Sequence, residues 1–129
     1  MADTLNFSLV SPERELYSGE VAQVDLPGTE GNLGIMPDHS PLMAALRTGT
    51  ITVYENGAET LFFIQGGFAD VTPSGLTVLA EKAYAMDAVD KAEVEAEIAS
   101  LEASLKNLSG DAAFTVRQNL EGLRAVLSA

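Results

Sequence analysis

The chain has one histidine, His39, in the stretch GNLGIMPDHSPLM (Gly31 to Met43), set between Asp38 and Ser40 with Pro37 and Pro41 outside them. An imidazole titrates near neutrality, so His39 is the natural candidate for acid–base work, and a hydrolase would pair it with a carboxylate and a hydroxyl. Consecutive residues of an extended loop point in different directions, however, and a triad draws its members from separate elements. No nucleophile elbow accompanies the histidine. The competing reading is a proline-stiffened loop that either shapes the next turn or offers a polar tip to a partner.

Other chemistry is thinly supplied. With no cysteine and one histidine, only carboxylates remain as metal ligands, and they are scattered without calcium-loop spacing. The glycines of GTEGNLG lack the lysine and the following helix of a P-loop. Arg117 and Arg124, seven apart, fall on nearly one helix face and are anion candidates, although apolar stems with solvated heads explain them as well.

Charge excludes more. Nineteen acids against seven bases give a formal net charge of −12, which repels a phosphate backbone and leaves no basic cluster for an anionic lipid surface. Nucleic acid is therefore not an expected partner. No run approaches the roughly 18 apolar residues of a membrane span, so a soluble chain is expected, with no direct membrane insertion. MADTLNFSLV has neither the basic and apolar pattern of a secretory leader nor the character of an organelle presequence, which leaves the cytoplasm as the expected compartment.

These residues must be held by two kinds of element. From Thr4 to about Leu79, short apolar runs alternate with Gly, Pro, Asn and Asp, predicting strands near Leu5 to Val10, Arg14 to Asp25, Asn32 to Ile35, Met43 to Arg47, Thr50 to Glu55, Glu59 to Gln65, Gly67 to Thr72 and Gly75 to Leu79. Turn chemistry marks Pro27-Gly28, Thr48-Gly49, Asn56-Gly57, Gly66-Gly67 and Pro73 to Gly75, with Asn56-Gly57 the strongest hairpin signal. Eight such strands predict a β-sandwich or barrel, with no room for the helices of a parallel α/β sheet.

After Ala83 glycine and proline nearly vanish. Val94, Ile98, Leu101, Leu105 and Leu108 form one apolar helical stripe, with Asp87 as the expected N-cap and Asp90 and Glu93 in the early turns. Gly110 is expected to end that helix and Asp111 to cap a second, striped by Val116, Leu120, Leu123 and Leu127. The fold expected is an all-β sandwich N-terminal domain, residues 1–84, followed by a C-terminal antiparallel α-helical hairpin, residues 85–129, that rests on the sandwich or on a partner.

Two long stretches, LVSPERELYSGEVAQVDLPGTEGNLGIMPDHSPLMAALRTGTI and IQGGFADVTPSGLTVLAEKA, together resemble the epsilon subunit of F-type ATP synthase, called delta in mitochondria, from about Asn6 through Ala83. The resemblance implies a non-catalytic rotor subunit without a cofactor. It would link the gamma subunit to the c ring, couple proton translocation to ATP synthesis, and lie peripherally at the cytoplasmic face of a bacterial inner membrane. It implies docking toward the c ring by the region of Glu30, Gly31, Asn32, Pro37, Asp38 and His39, where Asn32 occupies a position often acidic in the family. In many relatives the C-terminal helices extend, contact alpha and beta subunits and inhibit hydrolysis, and some bind ATP. Their nucleotide motif is degenerate here: Met86 and Asp87 are followed by Asp90 and Lys91, which puts a carboxylate where an arginine should stand. The alternative function is a free-standing β-sandwich module for a small ligand, for which the absence of Trp is unfavourable.

Overall fold

The computed structural model describes residues 4–128. Eight strands, β1 (Leu5–Val10), β2 (Glu15–Val21), β3 (Gln23–Gly28), β4 (Gly31–Ile35), β5 (Leu42–Leu46), β6 (Gly49–Glu55), β7 (Ala58–Thr72) and β8 (Gly75–Ala85), precede two helices, α1 (Lys91–Leu105) and α2 (Gly110–Ser128). The ladder runs β2-β1-β8-β7-β5-β3-β4, and β6 pairs with both β3 and β7, so a single sheet folds over on itself as a sandwich. Alternation drives this closure: Phe7 and Leu9, Val24 and Leu26, Ile51 and Val53, Leu76 and Val78 all turn inward into one buried cluster. Each such side chain contributes about 1.5–3 kcal/mol of burial.

Three predicted strand boundaries are corrected. The run from Arg14 to Asp25 is two strands, broken at Ala22, whose N–H donates to the Tyr54 carbonyl. Conversely, Glu59 to Gln65 and Gly67 to Thr72 are one strand, β7, and Gly66-Gly67 is no turn. Both glycines hold positive φ (74° and 139°), yet β7 keeps one register with β8 on either side, from Gln65 opposite Lys82 to Gly67 opposite Ala80. At this kink β7 exchanges its other neighbour, β6 for β5. A Cβ at Gly67 would collide with the Leu79 carbonyl oxygen, so only glycine permits the crossing. β8 also outruns its predicted end at Leu79 and continues to Ala85. One pairing is parallel among otherwise antiparallel ladders: β1 lies along β8, with the rest of the sandwich as their connection.

The helical expectations shift by a few residues. Asp90, not Asp87, caps α1; its Oδ1 accepts from the Ala92 and Glu93 N–H groups at 2.9 and 3.4 Å, and a 3-10 turn (Met86–Ala88) precedes it. Gly110, with φ 64°, opens α2 rather than closing α1, which ends at Leu105, and Asp111 sits inside the first turn of α2. Leu108 falls between the helices and is exposed, while the remaining stripe residues gather with Phe63 of β7 in a second apolar cluster.

Tyr17 and Tyr54 tie strands together on the flank of the sandwich. Tyr17 packs against Phe7 and Phe62, with ring centroids 5.6 and 5.9 Å away, and its hydroxyl donates to Glu55 at 2.5 Å. That hydrogen bond, then burial and the Glu55 charge, push the Tyr17 phenol up to about 12. Tyr54 donates to Asp25 at 2.8 Å and is raised for the same leading reason. A raised phenol means that the fold prefers the neutral form. The Tyr17 contribution is therefore whole below the ordinary phenol value of about 10 and is lost as pH climbs toward 12. Tyr17→Phe should flatten the fall in denaturant midpoint across that window relative to the unsubstituted chain, and parallel curves for the two proteins would refute the assignment.

Candidate interaction surfaces

The His39 loop is held by local bonds. Asp38 adopts φ 65°, the His39 N–H donates to the Met36 carbonyl at 3.2 Å, and Nδ1–H donates to the Ser40 carbonyl at 2.6 Å. The partner of the imidazole is thus a backbone oxygen, and neither the Asp38 carboxylate nor the Ser40 hydroxyl is brought to it. A charge relay cannot be assembled from this geometry. His39 and Asp38 border a cavity of only about 40 Å³ with the β7–β8 turn, Pro73 to Gly75. The half-buried Pro37 stiffens the approach to it.

Glu30, Gly31 and Asn32 occupy the β3–β4 hairpin, at the other end of β4 from His39. β4 begins in the first group and ends just before the second, and its five residues span about 13 Å. The structure therefore gives two sites where the sequence reading joined them: they line separate clefts. Glu30 and Asn32 are exposed, and Gly31 closes the turn at φ 139° opposite Gly28. Arg47 braces this hairpin, donating from Nη1 to the Gly28 carbonyl at 2.5 Å and from Nη2 to Asn32 Oδ1 at 2.7 Å. With an amide at position 32, the contact is a hydrogen bond rather than an ion pair. The Thr29 carbonyl accepts from Gln118 of α2 at 3.0 Å.

The degenerate nucleotide motif is divided as well. Asp90 is engaged as the α1 cap, Met86 packs on the helical cluster, and Lys91 is exposed as the first residue of α1; the Asp87 side chain lies outside the description. The neighbouring cleft is lined by Asp90, Glu93 and Glu97 against Lys82 alone, an environment that opposes a polyphosphate. Arg124 pairs with Glu102 of α1 at 2.9 Å, both side chains more than half exposed, a bond of little energetic weight. Arg117 instead borders a groove with Arg47, Phe114 and Gly28 that does not include Arg124, so the two arginines do not form one anion site. Among the described residues there is no cluster that could hold a metal ion, and no helix is long and apolar enough to cross a membrane.

Two features escaped the sequence reading. The first is the seat of α2. Gly122 faces the link between β5 and β6 so closely that a Cβ would overlap the Thr48 carbonyl oxygen. Thr48, 4% exposed, donates its hydroxyl to Asn119 Oδ1 at 2.6 Å. Gln65 likewise donates to Glu97 of α1 at 2.9 Å. An isolated glycine within a helical pattern was the available signal.

The second is an apolar row across the outer face of the sheet. Val10 lies beside Leu79, Leu79 beside Phe68, and Phe68 beside Ala45, on four adjacent strands. Phe68 is 57% exposed, Leu79 56%, and Met43, two residues along β5 from Ala45, 69%. Large apolar side chains in register on an outer face make this row a candidate interaction surface. Asp70 and Thr77 in the adjacent row made that face look polar in sequence, and only the register aligns the apolar residues.

A family model described as ATP synthase, Delta/Epsilon chain, beta-sandwich domain matches residues 4–86. The chain is 46% identical to the ATP synthase epsilon chain of Hyphomonas neptunium over 99% of each chain. It is 56% identical to that of Maricaulis maris over 90 residues, 70% of this chain and 68% of the relative. Among solved structures, a chain of the Euglena gracilis mitochondrial ATP synthase, OSCP/F1/c-ring, shares the fold with a TM-score of 0.80 at 17% identity, covering 99% of this chain and 82% of that one. A chain of the Tetrahymena thermophila mitochondrial ATP synthase central stalk and c-ring does so at 0.65 and 14% identity, covering 94% of each.

The seat of α2 yields a test in which two effects oppose. Gly122→Ala gains about 1 kcal/mol of helix propensity, but overpacking against backbone costs about 1–3 kcal/mol. The clash should win: a lower thermal midpoint is expected, together with faster amide exchange in α1 and α2 than in β1 or β8. A stabilised chain would show that the helix can shift away from Thr48 freely.

Proposed function

The chain belongs to the ATP synthase delta/epsilon chain family, and from that premise we propose that it is the central-stalk subunit of the F1 sector, joining the gamma subunit to the c ring and coupling proton translocation to ATP synthesis. The observation that carries this reading is the exposed row of Val10, Leu79, Phe68 and Ala45 beside Met43; Met43, Phe68 and Leu79 are more exposed than any other large apolar residue on the described strands, Leu42, Leu61 and Tyr84 included. Leaving such a row to water is unfavourable, and a permanent partner relieves it. We assign it to the gamma subunit.

Docking toward the c ring is assigned to the two ends of β4, with Glu30, Gly31 and Asn32 at one and Pro37, Asp38 and His39 at the other. Both groups sit in tight, internally bonded turns, which suits a surface that must resist deformation under load. Residues 1–84 then serve as the torque-bearing part and 85–129 as an appended hairpin. The subunit acts without a catalytic site of its own, peripherally at the cytoplasmic face of a bacterial inner membrane. The acidic cleft at Asp90, Glu93 and Glu97 argues against regulation by bound ATP and weakens an inhibitory contact of the helices with alpha and beta subunits.

The ligand-module alternative is less favoured, because the most exposed apolar side chains of the strands lie along an outer sheet face rather than inside a cavity. Replacing Phe68 and Leu79 by Glu decides between them: both side chains are exposed, so the chain should keep its fold, while affinity for the gamma subunit falls by about tenfold or more. Undiminished co-purification with gamma would reject the assignment. Separately, His39→Ala and Asn32→Ala should weaken proton-coupled ATP synthesis in reconstituted vesicles while leaving the free subunit folded; full coupling in both would place c-ring docking elsewhere.

A further inference from the structure

The edge of β5 that faces the β3–β4 hairpin is open over most of its length. β5 pairs with β7 along all five residues, but with β3 only where Leu46 meets Gly28. Two bonds flank that meeting point: the Thr29 N–H donates to the Ala45 carbonyl at 3.0 Å and the Arg47 N–H to the Pro27 carbonyl at 2.9 Å. They fix the alternation of the strand. Ala45 and Arg47 direct their backbone groups toward β3, so Leu42, Ala44 and Leu46 direct theirs toward β7, and Met43 directs its N–H and C=O toward the open edge with Ala45. Beyond Ala45 the hairpin turns away, leaving a groove of about 530 Å³ lined by Glu30, Asn32, Leu33, Leu42 and Met43 among others. Three backbone groups, the Met43 N–H and C=O and the Ala45 N–H, thus face a cleft without a ladder partner.

We propose that this groove receives an extended segment of the gamma subunit, which pairs with β5 as an added strand. The inference rests on the rotor assignment above and names its mode of contact: gamma takes the β5 wall of the groove, and the wall of Glu30 and Asn32 assigned to the c ring lies across it, so the two partners meet here. Unpaired backbone donors and an acceptor in strand alternation recognise another backbone, not a rigid side chain or a small ring. The stretch from Met43 to Ala45 spans about 7 Å, so a segment of three or four residues completes it. Continuity identifies the donor: Ala45 ends the apolar row assigned to gamma, and Met43 lies between that row and the groove, so a partner covering Phe68 and Leu79 reaches β5 next. The added strand carries apolar side chains toward Met43 and Leu33, and no acid beside Glu30.

Residue-resolved hydrogen exchange of the full chain, free and in a stoichiometric complex with gamma and the c ring, tests this. In the free chain the Met43 and Ala45 amides should exchange fast while those of Leu42, Ala44 and Leu46 are protected. Assembly should slow Met43 and Ala45 by about tenfold or more. Slowing confined to the outer face, with these two amides unchanged in an intact complex, would overturn strand addition and leave the rotor assignment standing. If the unsubstituted chain does not enter the complex, both fall. Met43→Pro offers a second reading, since at an open edge proline removes only the donor facing the groove. Gamma binding weakened beyond that of Met43→Ala, which loses the same side chain but keeps the N–H, supports the proposal, and binding of the folded Met43→Pro variant equal to that of Met43→Ala overturns it.

Discussion

The kinked β7 strand is the constraint on which the rest of the structure depends. Fifteen residues long, it pairs with β8 from Phe62 to Thr72, with β6 before the kink and with β5 after it. Its side chains serve three environments: Phe62 and Ile64 enter the sandwich core, Phe63 enters the helical cluster, and Phe68 joins the outer row. All of this needs the close crossing at Gly67, where the Leu79 carbonyl occupies the space that a side chain would take. One glycine therefore couples the inner core, the seat of the helices and the orientation of the candidate gamma surface.

Much of the architecture was legible because the chain changes period once. Two-residue alternation up to β8 and a three-four stripe beyond it distinguish sheet from helix without any tertiary information. The errors share a cause. Gly66-Gly67 reads locally as a turn, and nothing local reveals that β8 lies alongside to carry the ladder across it. Ala22 breaks a run of strand-forming residues because its N–H is claimed by Tyr54, 32 positions away in a different hairpin. Asp87 and Asp90 are equally good caps by composition, and the 3-10 turn at Met86–Ala88 decides between them.

The candidate site was less legible than the fold. His39 drew attention as the single histidine, yet its ring Nδ1 is engaged by the adjacent Ser40 carbonyl. The residues that carry the functional reading, Phe68, Leu79, Ala45 and Met43, have no chemistry to advertise and belong to three different strands. Their meaning comes from register alone, because a shift of one residue in any pairing would send Phe68 or Leu79 into the core and Ala69 or Val78 out of it.

The two parts of the molecule are held by unequal forces, and this bears on how each can act. The sandwich closes through continuous ladders around a large buried cluster, and displacing any strand exposes several core side chains at once. The hairpin is seated by a smaller cluster around Phe63, by the Gly122 approach to Thr48, and by the bonds of Asn119, Gln118 and Glu97 to the sandwich. Only Thr48 among the polar partners is buried; the others trade readily with water. Local opening should therefore begin at the helices, while the sheet remains intact. The proposed rotor role would call for that ordering: the sandwich, which would bear the torque, is the part whose contacts cannot be broken singly, and the hairpin is fastened at a few separable points.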